Sequence, residues 1–278
     1  MNIGIRLHDT APGTLRQRLG FARQQGFSCA HLALSKAVEG FSMAQAPALL
    51  TPDFARQVKE DFASQQMQCA VLGCYLNIAD PDPERRQRTR EIYEAHLRFA
   101  PWMGALVVGT ETPAHSETAY SPSAAESEEA FAFFIDCLRP LVRCAEEAGA
   151  ILAIEPVWKH IVSTPERAER MLDAVPSEHL QIILDSVNLI SPAAPEAAPA
   201  LVEEAIRRLG DRVRVLHMKD FTPAEGVIRS SACGTGQMRY ERLLAFARER
   251  DLPMTLEDTK PDNAQAARLH LETIAAAL

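Results

Sequence analysis

Eight short runs rich in Val, Ile and Leu recur at a near-constant interval along the chain, each followed by a longer stretch with helical periodicity. That alternation is what repeated βα units produce, and it restricts the fold to a mostly parallel sheet. The expected strands are 2–7, 29–34, 69–76, 105–110, 151–155, 181–185, 213–218 and 253–257. Several, such as VLGCYL, ALVVG, ILAI and QIIL, are apolar throughout, as strands buried on both faces must be. Helix starts are marked by Thr51-Pro52, Asp82-Pro83 and Thr164-Pro165, each an N-cap side chain ahead of a proline that needs no amide hydrogen. Thr14 with Gln17 and Ser123 with Glu126 fit capping boxes. Near 127–148, Phe131, Phe134, Ile135, Leu138, Val142 and Ala145 form one apolar stripe, to be laid against a sheet. An open doubly wound sheet would place a glycine-rich turn after its first strand, whereas this one leads into HDTAPGT. The Ala/Pro-rich stretch SPAAPEAAPA at 191–200 reads as a loop between a strand and its helix rather than a linker. The expected fold is α/β: a single (β/α)₈ barrel of the TIM type over residues 1–278.

Composition excludes some classes of function. A formal net charge of -8 opposes a groove for nucleic acid, which needs a basic face to displace counterions. The densest basic patch, Arg85, Arg86, Arg88 and Arg90, reads as the wet side of a helix. No run of 18 apolar residues predicts a membrane span, and the start MNIGIRLHDT lacks the pattern of a secretory leader, so a cytoplasmic protein is expected. Cys29, Cys69, Cys74, Cys137, Cys144 and Cys233 lack CxxC spacing and read as buried thiols.

Four of the runs end alike: ILAIE at Glu155, QIILD at Asp185, VRVLH at His217 and PMTLE at Glu257. Catalytic groups of α/β barrels sit at the carboxyl ends of the strands, so all four would meet at one mouth. Three carboxylates gathered there repel one another unless a cation or protons neutralise them. One divalent ion does so; the oxygen-rich set suits Mn²⁺ or Mg²⁺ and also admits Co²⁺ or Zn²⁺.

With AIEP around Glu155, ILDSVN around Asp185, LHMKD around His217, GTG at 234–236 and LED around Glu257, the chain resembles the xylose isomerase-like barrels. Within them it is similar to the sugar phosphate isomerase/epimerase group, which includes ketose 3-epimerases and inosose dehydratases. The resemblance implies that Glu155 and Glu257 both hold the metal and face the substrate from opposite sides. One would remove a proton beside a metal-held carbonyl and the other return it, through an enediolate, while Asp185 and His217 serve as ligands only. Many relatives carry Asp-x-x-His on the sixth strand; here Asn188 replaces that histidine, and it can hydrogen-bond a hydroxyl but carry no proton.

Other polar groups fall near the same mouth. Lys219, two residues after His217, turns to the same side and is placed to steady an oxyanion or to pair with a rim carboxylate. Trp158 and His160 follow Glu155 on a rim loop, as an apolar wall and a substrate contact. Tyr75 and Asn77 end the third strand, and Glu111 ends the fourth as a binder of hydroxyls. Arg6 and His8 share a face of the first strand and read as rim or core partners. Gly234 and Gly236 lie where barrels often bind phosphate, ahead of a helix expected near Met238, although glycines also simply turn the chain. The expected activity is a metal-dependent isomerase or epimerase of a ketose or related polyol ketone. A metal-dependent sugar or inosose dehydratase is the alternative, ahead of an endonuclease IV-like phosphodiesterase and a non-catalytic sugar-binding barrel. The expected partner is a small carbohydrate, without nucleic acid or membrane, and a homo-oligomer is compatible with the sequence.

Overall fold

In the computed structural model, which describes residues 1–113 and 127–278, the strands are short because each crosses only the wall of a narrow barrel. They are β1 (Ile3–Arg6), β2 (Cys29–Leu32), β3 (Gln68–Gly73), β4 (Val107–Glu111), β5 (Leu152–Glu155), β6 (Leu180–Asp185), β7 (Val213–Met218), β8 (Asp220–Ala224), β9 (Val227–Ser231) and β10 (Met254–Leu256). β1 to β7 and β10 close into a parallel barrel in which β10 lies between β7 and β1. The expected single (β/α)₈ barrel is therefore present, each expected strand matching a barrel strand to within a few residues.

Period-two alternation divides each strand between two environments. Cys29, Val71, Val107, Ala153, Ile183 and Val215 pack together as a small cluster inside the barrel. The intervening residues, among them Ala30, Leu72, Val108, Ile154, Leu184 and Leu216, face the helices and join the large outer core. Two positions beyond the inner cluster the same alternation presents His31, Gly73, Gly109, Glu155, Asp185 and His217. Gly109 is needed there: a Cβ would lie 2.6 Å from Val71 Cγ1 and 2.7 Å from Ile183 Cδ1.

The outer layer contains the helices Leu15–Gln24, Pro52–Ser64, Pro83–Met103, Glu128–Ala148, Pro165–Ala174, Ala198–Leu209, Glu241–Glu249 and Ala264–Ala276. Thr51, Asp82 and Thr164 cap their helices ahead of proline, and Thr14 and Gln17 form a complete capping box. Ser123 and Glu126 lie outside the described residues; the helix that follows is capped by Ser127, whose side chain accepts from the Ala130 amide. The stripe from Phe131 to Ala145 is buried as expected. Arg85, Arg88 and Arg90 are exposed and pair with Asp80, Glu84 and Glu94. The cysteines are all free, and Cys137 alone of the six is half-buried rather than buried. No helix among the described residues is long and apolar enough to cross a membrane.

Two local expectations need correction. The stretch 191–200 is loop only in its first half, because a turn of 3₁₀ helix at Pro195–Ala197 leads directly into the helix Ala198–Leu209. The helix expected near Met238 begins at Glu241. Between β7 and that helix the chain forms an antiparallel hairpin, β8–β9, that sequence reasoning did not identify. Its two-residue turn uses Glu225 and Gly226, both at positive φ, a form whose twist matches the paired strands. The base of the hairpin is held by Asp220, which accepts from the amides of Phe221 and Met238, each at 2.8 Å, and of Gly234 at 3.0 Å. Replacing Asp220 by Ala strands these amides, and the expected result is a loss of about 3 kcal/mol in urea unfolding.

His96, in the helix Pro83–Met103, is fully buried and donates from Nδ1 to the Ile92 carbonyl at 2.8 Å. Burial pulls its pKa down from 6.5 to about 4. The unfolded chain therefore takes up a proton below about pH 6.5 that the folded chain refuses until about pH 4, and stability falls across that window. His96→Leu should remove up to about 3 kcal/mol of this acid sensitivity, seen as a flatter stability profile between pH 6.5 and 4.

Candidate metal centre and cleft

Each of the four strand-end residues singled out from the sequence emerges at the carboxyl end of the barrel, and each is buried: Glu155, Asp185, His217 and Glu257. Asp185 begins a tight turn in which its Oδ1 accepts from the amides of Val187 at 2.9 Å and Asn188 at 3.1 Å. That anchorage leaves Oδ2 turned towards the Lys219 ammonium, 2.9 Å away. His217 Nδ1 lies 3.0 Å from Glu155 Oε2 and 3.3 Å from Glu257 Oε1, so two carboxylates approach one ring nitrogen.

The two glutamates are held differently. Glu155 accepts from the Asn188 side-chain amide at 2.5 Å. Glu257 instead faces cations, with Oε2 at 3.3 Å from Lys219 Nζ and 3.5 Å from Arg6 Nη1. Burial alone would raise the Glu257 pKa, but His217, Lys219 and Arg6 outweigh it and hold the carboxyl well below its usual range. Asp185 is pushed up to about 6 by its burial, against the pull of Lys219. Glu111 is pushed up to about 8, first by burial and then by the charges of Glu155 and Glu257, so it keeps its proton near neutrality.

The donor set fits a metal ion. Ligand atoms of Glu155, Asp185 and His217 lie within 4.8 Å of one another, as do those of His31, His217 and Glu257. Neither ring nitrogen of His217 completes a directed hydrogen bond, although the ring is buried among carboxylates. Groups that converge on a point without bonding one another are disposed as ligands are. Charge balance fits as well. Three carboxylates face the two fixed cations Lys219 and Arg6, and burial of His217 is outweighed by Glu155 and Glu257, which raise its pKa to about 9. A proton on His217 thus offsets one of the carboxylate charges when no ion is bound, and an ion binding there has to displace it. Apparent affinity for a divalent ion should rise with pH up to about 9, with a proton released below that point. Calorimetry in buffers of different ionisation enthalpy checks this, and a pH-independent affinity would contradict it.

Above the buried set opens a cavity of about 530 Å³, lined by Arg6, His8, His31, Tyr75, Glu111 and Asn188 among others. Tyr75 and Glu111 thus stand where the sequence placed them, although Tyr75 lies two residues past the end of β3. Lys219 stands in the cavity wall, paired with Asp185 and Glu257. Asn188 also lines the cavity, but its amide serves Glu155. His160 is buried behind Glu111, with Nδ1 3.6 Å from Glu111 Oε2, and stands outside the cavity lining. Trp158 donates its amide to the Asn188 carbonyl at 2.8 Å, and the residue, 37% exposed, stands outside the cavity lining. Asn77 accepts from the Ala79 amide in a turn. A larger groove of about 690 Å³ lies outside the barrel between the helices Ala198–Leu209 and Glu241–Glu249, away from these groups.

The phosphate-binding role considered for Gly234 and Gly236 is not supported by the local geometry. The Gly234 and Met238 amides are engaged by Asp220, and a Cβ at Gly236 would strike Asp220 and the Phe221 carbonyl. The carboxylate of Asp220 sits where an anion would have to bind.

A profile of the family described as "Xylose isomerase-like TIM barrel" matches residues 19–276. The chain belongs to this family. Similar solved structures include 3-keto-D-glucoside 4-epimerase, YcjR, from E. coli, at TM-score 0.76 and 17% identity, covering 98% of this chain and 99% of that one. The IOLI protein with a bound zinc atom superposes at TM-score 0.73 and 15% identity over 100% and 97% of the two chains. The probable 3-DHS dehydratase AsbF from Bacillus anthracis does so at TM-score 0.73 and 14% identity over 99% and 98%. No curated relative matches by sequence.

Sequence reasoning missed His31 and undervalued Arg6. His31 follows the same rule as the four strand ends, a polar residue near the close of an apolar run. In CAHLAL, however, three further apolar residues follow it and hide the strand end.

Proposed function

We propose that this chain is a divalent-metal-dependent isomerase or epimerase acting on a ketose or related polyol ketone. The observation that carries the reading is the placement of Glu155 and Glu257, two buried carboxylates from strands on either side of β6 and β7 that approach the same nitrogen of His217. Glu155, Asp185, His217 and Glu257 would hold the ion, for which Mn²⁺ or Mg²⁺ suits the oxygen-rich set and Co²⁺ or Zn²⁺ is admissible. When bound, it would polarise a carbonyl and its neighbouring hydroxyl, making the intervening C–H acidic.

The protein's residues then divide the proton work. Glu257, kept ionised by Lys219 and Arg6, stands ready to accept a proton, and Glu155, oriented by Asn188, faces it as the partner that returns one. Return on the opposite face inverts the carbon. Lys219 adds a fixed positive charge beside the oxygens that gain negative charge. The 3-keto-glucoside epimerase and the zinc-bound barrel among the structural neighbours are consistent with this chemistry.

A dehydratase is the second reading, favoured by one observation. Glu111 lines the cavity and holds its proton near neutrality, so it could protonate a departing hydroxyl. The dehydratase among the neighbours shares the fold. A phosphodiesterase is disfavoured, because the cavity's acidic groups oppose a nucleic-acid backbone.

Metal-loaded protein incubated with ketoses and inositol ketones in D₂O should place deuterium at the carbon beside the carbonyl. Glu257→Gln should slow that exchange by about 10²- to 10⁴-fold. Unsaturated product with loss of water would establish the second reading, and full exchange by Glu257→Gln would refute the first.

A further inference from the structure

Among the side chains that the proposed proton transfer leaves unused is a buried imidazole in the cavity wall. His31, near the end of β2, is 2% exposed and lines the cavity wall. Neither of its ring nitrogens has a hydrogen-bond partner. A buried imidazole with both polar atoms unsatisfied is costly, and folds retain such groups where a ligand or ordered water completes them.

The ring is also built into place. It stacks between His217, with centroids 5.3 Å apart and planes 14° apart, and Tyr75, at 5.7 Å and 26°. His8 meets it edge-on at 6.3 Å. The register of β2 against β3 shifts between Ala30 and His31, an irregularity of the kind that re-aims a side chain. Opposite, β3 ends in Gly73, where a Cβ would lie 2.6 Å from His31 Nε2 and 3.0 Å from the Tyr75 ring. Glycine there leaves the space that the imidazole occupies.

A role as a further metal ligand fits less well, although His31, His217 and Glu257 are close enough to share an ion. Imidazoles on one ion aim their in-plane lone pairs at a common point, whereas stacked rings keep those lone pairs in separate, nearly parallel planes. A neutral imidazole offers one donor and one acceptor nitrogen, and a hydroxyl can satisfy either.

We propose that His31 is a specificity-determining residue that hydrogen-bonds a hydroxyl of the substrate, so that the ligand is a ketone bearing a free hydroxyl beyond its reacting carbon pair. The assignment rests on reading this cavity as the site for a polyol ketone.

The test uses the full chain loaded with Mg²⁺ and labelled with ¹⁵N-histidine, titrated with D-fructose, D-sorbose and an inositol ketone and with their single-deoxy analogues. A ketose that binds should shift the His31 ring-nitrogen signals, which are assigned by their loss in His31→Phe. One deoxy analogue should bind wild-type protein about tenfold or more weakly than its parent, and His31→Phe should erase that difference while keeping its metal. His31→Gln, which still offers a donor and an acceptor, should restore part of it. If His31→Phe does not fold, Gly73→Ala assigns the same signals by crowding the ring. Binding that leaves the His31 nitrogens unmoved, a deoxy penalty unchanged in His31→Phe, or loss of metal in that variant overturns the proposal. Ketose binding with the His31 shift but no deuterium exchange would refute the proposed reaction and leave this role standing. Failure of every ketone to bind would overturn both.

Discussion

Three carboxylates removed from water around one imidazole are the interaction on which the upper half of this barrel depends. Brought together alone they would repel, and each would favour its protonated form. The chain counters this from different strands. Arg6 reaches in from β1, Lys219 from the end of β7, and His217 stands between Glu155 and Glu257. Expectation from sequence alone named a cation or protons as the counter-charge, with one divalent ion as the favoured form. The structure shows that much of the compensation is already covalently present, which makes an incoming ion the competitor of a proton rather than the sole remedy for repulsion.

This arrangement gives the two glutamates unequal surroundings. Glu257 is surrounded by positive charge, whereas Glu155 is steadied by a neutral amide. Asn188 is part of the support for Glu155. Its backbone belongs to the same turn that Asp185 anchors. The residue at 188 therefore bears on how the Glu155 carboxylate is aimed.

The barrel and its four chemical strand ends were legible because both rest on short-range rules. Apolar runs buried on two faces report strands directly, and their last polar residue points to the mouth. Helix caps such as Thr51 and Asp82 were readable for the same reason, since a cap is a contact between residues three apart. What escaped depends on contacts distant in sequence. Arg6 is tied to Glu257 and Asp258 across the closure between the first and last barrel strands. His31 gains its meaning from a glycine on the neighbouring strand, and the loop at Trp158 is tied by its amide to the Asn188 carbonyl. The hairpin had a local signal in Glu225-Gly226, but its strands, only partly buried in the hairpin's outer half, lack the apolar run that identifies the others.

Along its axis the barrel is two materials. Below, Val71, Val107, Ile183 and Val215 form a solid plug. One step above, glycines at 73 and 109 take wall positions where larger side chains would close the space. The depth of the cavity is therefore set by atoms that are missing, and a single methyl group on the wall redraws its floor. The two glycines differ in what such a group would meet: at 73 it presses on His31 and Tyr75 in the wall, whereas at 109 it strikes Val71 and Ile183 of the plug itself.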